Sequence, residues 1–265
     1  MELDKIYNMD CLEGMKHIPD GSVDAVICDL PYGTTACAWD VIIPFDKLWE
    51  QYRRVIKPDG VIVLFATEPF TSSLICSNIF DFKEKLTWVK HKPTNFGNAR
   101  FRHLKYTEDI VVFSRVGRYT FNPQYIKRTS RRVAEAQNGK SKQWCTVREH
   151  TSEVSFGTQY KPREWTIYDA EKKLQGNCIQ MPSVVSNSHE KCNHPTQKPV
   201  RLLRYLVRTY SNEGDTILDN CMGSGTNAVA CIKEKRHFIG FELNKDYYDK
   251  ACKRIDAEKR QLTLF

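Results

Sequence analysis

Short apolar runs bounded by turn residues alternate with longer stretches of helical spacing along most of this chain. Val23 to Cys28 and Val61-Ile62-Val63-Leu64-Phe65 are apolar runs of strand length, the second rich in β-branched residues, as expected of strands buried on both faces. Ile6 to Cys11 reads as a short strand ending in a polar turn, Leu12 to Ile18 as a helix, and Pro19-Asp20-Gly21-Ser22 as the turn into the Val23 strand. Phe45 to Ile56 has helical apolar spacing closed by Pro58-Asp59-Gly60, and Phe70 to Ile79 predicts another helix. Lys85 to Val89 and Ile110 to Phe113 predict strands. Downstream come an amphipathic helix from Val200 to Tyr210 with Pro199 at its start, a strand at Thr216 to Leu218, a helix from Thr226 to Lys235, a strand from Phe238 to Phe241 ending at Glu242, and a last helix from Lys245 to Lys259. Strands alternating with helices predict an α/β fold with a mainly parallel sheet.

Between Tyr119 and Glu190 the periodicity fades into mixed polar, basic and aromatic residues. A structureless loop of that length is rare inside a compact domain, and Trp144, Phe156, Tyr160, Trp165 and Tyr168 supply more aromatic surface than disorder usually carries. The expected organisation is one α/β domain built from residues 1–118 and 191–260, a small inserted region at 119–190, and a tail at 261–265.

With 265 residues and 41% hydrophobic content the chain can bury a full core. It has no apolar run long enough to span a bilayer and no secretion-type start, so a soluble cytoplasmic protein without a membrane partner is expected. Its ten cysteines are scattered singly, the pattern of free thiols. Cys178, His189, Cys192 and His194 lack the repeated paired spacing of structural zinc sites, and no metal is expected. The net charge of +8 is uneven: the first sixty residues are acid-rich, whereas Lys83 to Arg132 includes Arg100, Arg102, Lys105, Arg128, Arg131 and Arg132. That is either a polyanion footprint or a solvated basic face.

Two strand-to-loop junctions carry candidate chemistry. Asp29-Leu30-Pro31-Tyr32 follows the Val23 strand and sets a carboxylate and a ring at its tip, the edge where open α/β folds bind ligands. The Thr216 strand runs into Asp219-Asn220-Cys221-Met222-Gly223-Ser224-Gly225-Thr226, where glycines permit close backbone approach and a helix start offers free N–H groups. The loop lacks the Lys-Ser/Thr ending of a phosphate cradle. Glu242 stands where an acid bonds ribose hydroxyls in dinucleotide folds, or else caps the helix before Lys245.

Together these segments resemble the amino-group DNA methyltransferases, whose target motif is Asp-Pro-Pro-Tyr and whose cofactor motif is Asp-Pro-Phe-x-Gly-Ser-Gly-Thr. The resemblance covers the chain outside its middle. It implies a Rossmann-like S-adenosylmethionine-dependent fold and transfer of a methyl group to the exocyclic nitrogen of a base flipped out of double-stranded DNA. Asp29, Leu30, Pro31 and Tyr32 would act on that amine. Asp10, Cys11, Asp219, Gly223, Gly225, Thr226 and Glu242 would hold the cofactor. Asn193-His194-Pro195-Thr196-Gln197-Lys198-Pro199 resembles the segment lining the methionine end, with Lys198 pairing the carboxylate. The target motif precedes the cofactor motif, which implies the circularly permuted β-group order with the insert reading sequence. Arg100, Arg102, Lys105, Arg128, Arg131 and Arg132 would meet DNA.

The acid at the first motif position favours adenine N6 over cytosine N4. The alternatives are an N4-cytosine enzyme and an inactive DNA-binding homologue. Leu30 replaces the first proline of one motif, and Asn220-Cys221 replaces Pro-Phe of the other, removing a ring expected near the cofactor. The ending Gln261-Leu262-Thr263-Leu264-Phe265 resembles the peptide by which bacterial proteins dock on the DNA polymerase sliding clamp; otherwise it packs on its own domain. The resemblance implies a bacterial or phage protein and leaves a homodimer open.

Overall fold

The computed structural model describes every residue except 36, 38, 39, 128–171, 186, 187, 189, 193, 194 and 263–265. The chain divides into two units, Met1–Asn122 with Gly176–Phe265, and Pro123–Gln175. The strands of the first are β1 (Lys5–Tyr7), β2 (Val23–Asp29), β3 (Ile56–Ala66), β4 (Phe82–Thr94), β5 (Lys105–Phe113), β8 (Cys178–Gln180), β9 (Thr216–Asp219) and β10 (His237–Phe241). Its helices are α1 (Cys11–Met15), α2 (Phe45–Val55), α3 (Phe70–Ser77), α4 (Val200–Tyr210), α5 (Thr226–Lys233) and α6 (Lys245–Leu262). In the second unit β6 (Tyr125–Lys127) pairs antiparallel with β7 (Lys172–Leu174).

The strands of the first unit form one sheet in the order β1-β10-β9-β2-β3-β5-β4-β8, parallel except where β5 runs against β3 and β4. Alternation along the central strands explains their unbroken apolar runs. Ala25, Ile27, Val61, Val63, Phe65 and Ile217 pack in one core with Leu202, Leu206 and Val207 of α4, Ala228 of α5, and Ala251 and Ile255 of α6. Val26, Cys28, Ile62, Leu64 and Leu218 pack in another with Met15 of α1, Leu48, Trp49 and Tyr52 of α2, and Leu74 of α3. Side chains of period two thus meet helices on both faces, and a doubly wound sheet results.

The clearest departures from the sequence expectation fall in β3, β4, β5 and α6. Pro58-Asp59-Gly60 does not close α2 as a separate turn: Val23 pairs with Ile56 and Ala25 with Val61, so the residues between bulge within β3. β4 and β5 run well past Lys85–Val89 and Ile110–Phe113, because each is the other's hairpin partner where no apolar face marks them. The last helix continues through Leu262, two residues into the expected tail.

The strand order reverses between β9 and β2. The strand that follows β9, β10, lies on one side, and the strand that follows β2, β3, lies on the other. Ligands of open α/β sheets bind outside the carboxyl ends at such a switch point.

Candidate active site

Asp29 ends β2 and Asp219 ends β9, and the two strands are paired through Ala25↔Ile217 and Val26↔Leu218. Residues 190 positions apart in sequence therefore occupy neighbouring strand tips at the switch point.

Asp29 is held on both carboxylate oxygens. The Tyr32 hydroxyl donates to Oδ1, and Lys198 Nζ donates to Oδ2 at 2.6 Å. Each oxygen keeps a second lone pair able to accept another donor. Burial raises the Asp29 carboxyl above its ordinary range despite the opposing charge of Lys198. Tyr32 packs its ring on Phe70 of α3 at 5.3 Å, and Phe70 in turn meets Phe45 of α2 at 5.5 Å. Asp40 fixes the loop that follows, accepting from the backbone of Gly33, Thr34 and Thr35 at 2.8, 2.9 and 2.6 Å.

Lys198 belongs to a larger charge network. Its ammonium lies 3.3 Å from Glu108 Oε2 on β5, and Lys90 of β4 binds Glu108 Oε1. Burial works to raise Glu108, but Lys198 and Lys90 outweigh it and hold the carboxyl below its usual range. Burial likewise works to lower Lys198, but Asp29 and Glu108 outweigh it and push the ammonium up to about 12. Two carboxylates and two ammoniums cancel in a largely buried site. Removing any one leaves an uncompensated buried charge, usually far costlier than the intact set. Among the described residues, Glu108 Oε2 has no partner beyond its ion pair with Lys198.

The second tip is built differently. Met222 N–H donates to Phe241 O at 2.8 Å, and Gly223 N–H donates to Glu242 Oε2 at 2.7 Å, so the glycine loop is tied to the end of β10. Gly223 and Gly225 take φ of 52° and 74°, the left-handed region that glycine enters without strain. Asn244 N–H donates to Glu242 Oε1 at 2.8 Å, while the Asn244 side chain accepts from Asp246 and Tyr247 at the start of α6. Glu242 is therefore not the helix cap. Its remaining lone pairs suit hydroxyl donors, and burial raises its carboxyl. Asp219 Oδ1 accepts from Cys221 N–H at 3.1 Å, and burial pushes its carboxyl up to about 7.

The Asn220-Cys221 departure has a structural partner. The Tyr52 hydroxyl of α2 donates to Asn220 Oδ1 at 2.5 Å, and the Asn220 amide reaches Cys11 Sγ at 3.7 Å and Cys221 Sγ at 3.5 Å. A buried asparagine thus replaces proline with its polar atoms satisfied. Cys11 lines that same cluster. Asp10 caps α1, its Oδ1 accepting from Leu12 and Glu13 N–H at 2.9 and 3.1 Å. Thr226 is buried, its hydroxyl 2.9 Å from both Ser224 Oγ and Arg254 Nη1.

Sequence reasoning missed Glu108, Lys90, Asp40, Tyr52 and Arg254. For two of them a signal existed: Lys90 continues the buried stripe Leu86, Trp88, and Glu108 continues Ile110, Val112, so each charge lies where period two predicts core. Arg100 and Arg102 are exposed and Lys105 half-buried at the tip of the β4–β5 hairpin, while Arg128, Arg131 and Arg132 lie outside the described residues.

An acid and a glycine loop side by side at the switch point of a doubly wound sheet define a nucleoside-cofactor-binding α/β protein. A family model described as DNA methylase, of the N6/N4 type, matches residues 23–253. The chain belongs to that family, the S-adenosylmethionine-dependent DNA methyltransferases. DNA adenine methyltransferase YhdJ of Escherichia coli (strain K12) is 28% identical over 268 residues, covering 97% of this chain and 84% of that protein. Among solved structures, the M1.HpyAVI complex with S-adenosylmethionine has a TM-score of 0.60 at 24% identity, covering 95% of this chain and 98% of that one. The cytosine-N4-specific PvuII DNA methyltransferase has a TM-score of 0.64 at 15% identity, covering 94% and 85%.

Proposed function

We propose that this protein methylates the N6 amino group of adenine in double-stranded DNA. The observation that carries the reading is the pairing of the Asp29 tip with the Asp219 glycine loop on adjacent strands. The acid at the first target-motif position and the similarity to an adenine enzyme support adenine over cytosine.

An exocyclic amine is a poor nucleophile because its lone pair is delocalised into the ring. Asp29 accepts one amine proton, and the carbonyl of Leu30 or Pro31 accepts the other, which favours a more tetrahedral nitrogen. Tyr32 offers its ring as a stacking face for the extruded base, and stacking offsets part of the few kcal/mol that flipping costs. Bound S-adenosylmethionine supplies an activated methyl on a sulfonium, so no covalent enzyme intermediate is needed. Glu242 is assigned to its ribose hydroxyls, and the Gly223 to Gly225 backbone, Asp219, Thr226, Asp10 and Cys11 are assigned to the rest of the cofactor. Lys198, ion-paired with Asp29, is also assigned to the cofactor carboxylate. Arg100, Arg102, Lys105, Arg128, Arg131 and Arg132 are assigned to DNA, and the second unit to sequence reading in the major groove. Gln261 to Phe265 is assigned to a sliding clamp. Two of its residues, Gln261 and Leu262, are helical, so clamp docking requires the end of α6 to unwind.

The test is incubation of purified protein with isotopically labelled S-adenosylmethionine and unmethylated genomic DNA, followed by mass spectrometry of the nucleosides. Labelled N6-methyladenine is expected. Labelled N4-methylcytosine would overturn the base assignment, and no label would overturn the activity.

A further inference from the structure

The β4–β5 hairpin carries a feature that the transfer chemistry does not use. Asp29 is in register with Phe65, Phe65 with Ile110, and Ile110 with Leu86. Because β5 is antiparallel to β3, the start of β5 and the end of β4 project beyond the sheet edge where Asp29 sits. From Glu108, which touches Lys198, the strand runs three residues further to Lys105, roughly 10 Å at about 3.4 Å per residue. The tip therefore projects beyond the sheet edge that carries the target site.

That tip is a built turn. Asn95 takes a left-handed φ of 72° and opens a 3-10 turn over Phe96–Asn98. Asn98 Nδ2 donates to Asn95 Oδ1 at 2.7 Å, and the N–H groups of Phe101 and Arg102 both donate to Asn98 O at 2.9 Å. On it stand two phenylalanines facing solvent, Phe101 at 84% and Phe96 at 66% exposure. Arg100 and Arg102 flank Phe101, and both are exposed, as is Lys92 on the adjoining strand. Large rings left in water amid cations on a braced turn fit a polyanion with apolar gaps between its stacked layers. Duplex DNA is that polymer, and apolar side chains inserted between base steps are a known way to unstack it.

We propose that Phe101, supported by Phe96, is a wedge that enters the duplex where the target base has left, while Arg100 and Arg102 hold the flanking phosphates. The ring replaces the stacking partner that the neighbouring bases lose. Flipping then becomes an exchange of one stack for another. This rests on the base-flipping reading above and adds to it the residue that keeps the base out.

The experiment compares wild type, Phe101→Ala and Phe101→Trp on two duplexes carrying the methylated site: one fully matched, one with an abasic nucleotide opposite the target, so that the base leaves at little cost. Phe101→Ala should lose about ten-fold or more in kcat/KM on the matched duplex, the range one aromatic–base stack commands. It should approach wild type on the other duplex, and Phe101→Trp should retain activity on both. Equal losses on both duplexes, or no loss, would overturn the wedge. A binding measurement stands apart from transfer: wild type should prefer a duplex with one abasic nucleotide over a matched one, and Phe101→Ala should lose that preference. An absent or retained preference would overturn the wedge even if methylation failed altogether, so the two readings fail separately. A lower solution mass for Phe101→Ala with unchanged transfer would assign the tip to a second copy of the chain and overturn the proposal.

Discussion

The tips of β2 and β9 are neighbours, both end in aspartate, and they treat that aspartate differently. Asp29 has a lysine on one oxygen and a tyrosine hydroxyl on the other, inside a network that also balances Glu108 and Lys90. Asp219 forms no ion pair among the described residues. Its partners are a backbone N–H, the Cys28 thiol and the Asn227 amide, and burial pushes it up to about 7. Burial raises both carboxyls, but at Asp29 the Lys198 cation opposes the rise, whereas at Asp219 only neutral dipoles oppose it. The contrast matches the two proposed tasks, since an ionised carboxylate is the stronger acceptor for an amine proton, whereas a group that shapes a loop need not be charged.

Asp29→Ala cuts deepest into this contrast. Transfer should fall by roughly a thousand-fold or more while labelled cofactor still binds in equilibrium dialysis. Retained transfer would remove Asp29 from the chemistry and with it the difference between the tips.

Lys198→Met should lower kcat by about a hundred-fold and separate the two assignments of this lysine. Without the ammonium, Asp29 and Glu108 face each other and the Asp29 carboxyl rises further, so the acid limb of the kcat–pH profile should move to higher pH. If Lys198 holds only the cofactor carboxylate, the acid limb stays in place and cofactor affinity weakens instead.

Asp219 predicts a stability effect of known sign. Its folded pKa lies above the unfolded value, so the folded state binds more protons between about pH 4 and pH 7. The cofactor-free protein should lose stability as pH rises through that window, by several degrees in Tm. Asp219→Asn should flatten that part of the profile, as thermal denaturation from pH 5 to 8 would read. An unchanged slope would mean that Asp219 is not the group held partly neutral.

The smallest effect belongs to Asn220. Asn220→Ala leaves the buried Tyr52 hydroxyl without its acceptor, at about 1–3 kcal/mol, which lowers Tm by roughly 3–8 °C. Tyr52→Phe in the same background should recover part of that loss, because both polar partners are then gone. No recovery would mean that Asn220 acts through something other than Tyr52.

Periodicity alone placed the central strands and the longer helices, because side chains buried on both faces of a parallel sheet must read as apolar runs, and helices covering them must repeat with their own period. The two loop motifs were legible because strained or closely approached backbone requires glycine and a strand tip exposes its acid, so Asp29, Gly223, Gly225 and Glu242 announced themselves locally. The β4–β5 hairpin was visible only in part, since its outer half pairs backbone to backbone without an apolar face. The partners of each site were a different matter. Lys90, Glu108 and Lys198 come from three separate segments, as do Tyr52, Asn220 and Cys11, and only folding sets the distances over which charge and hydrogen bonding act. Local sequence determined which groups the two tips carry; the crossing of distant strands and helices decided which charges and dipoles each of them meets.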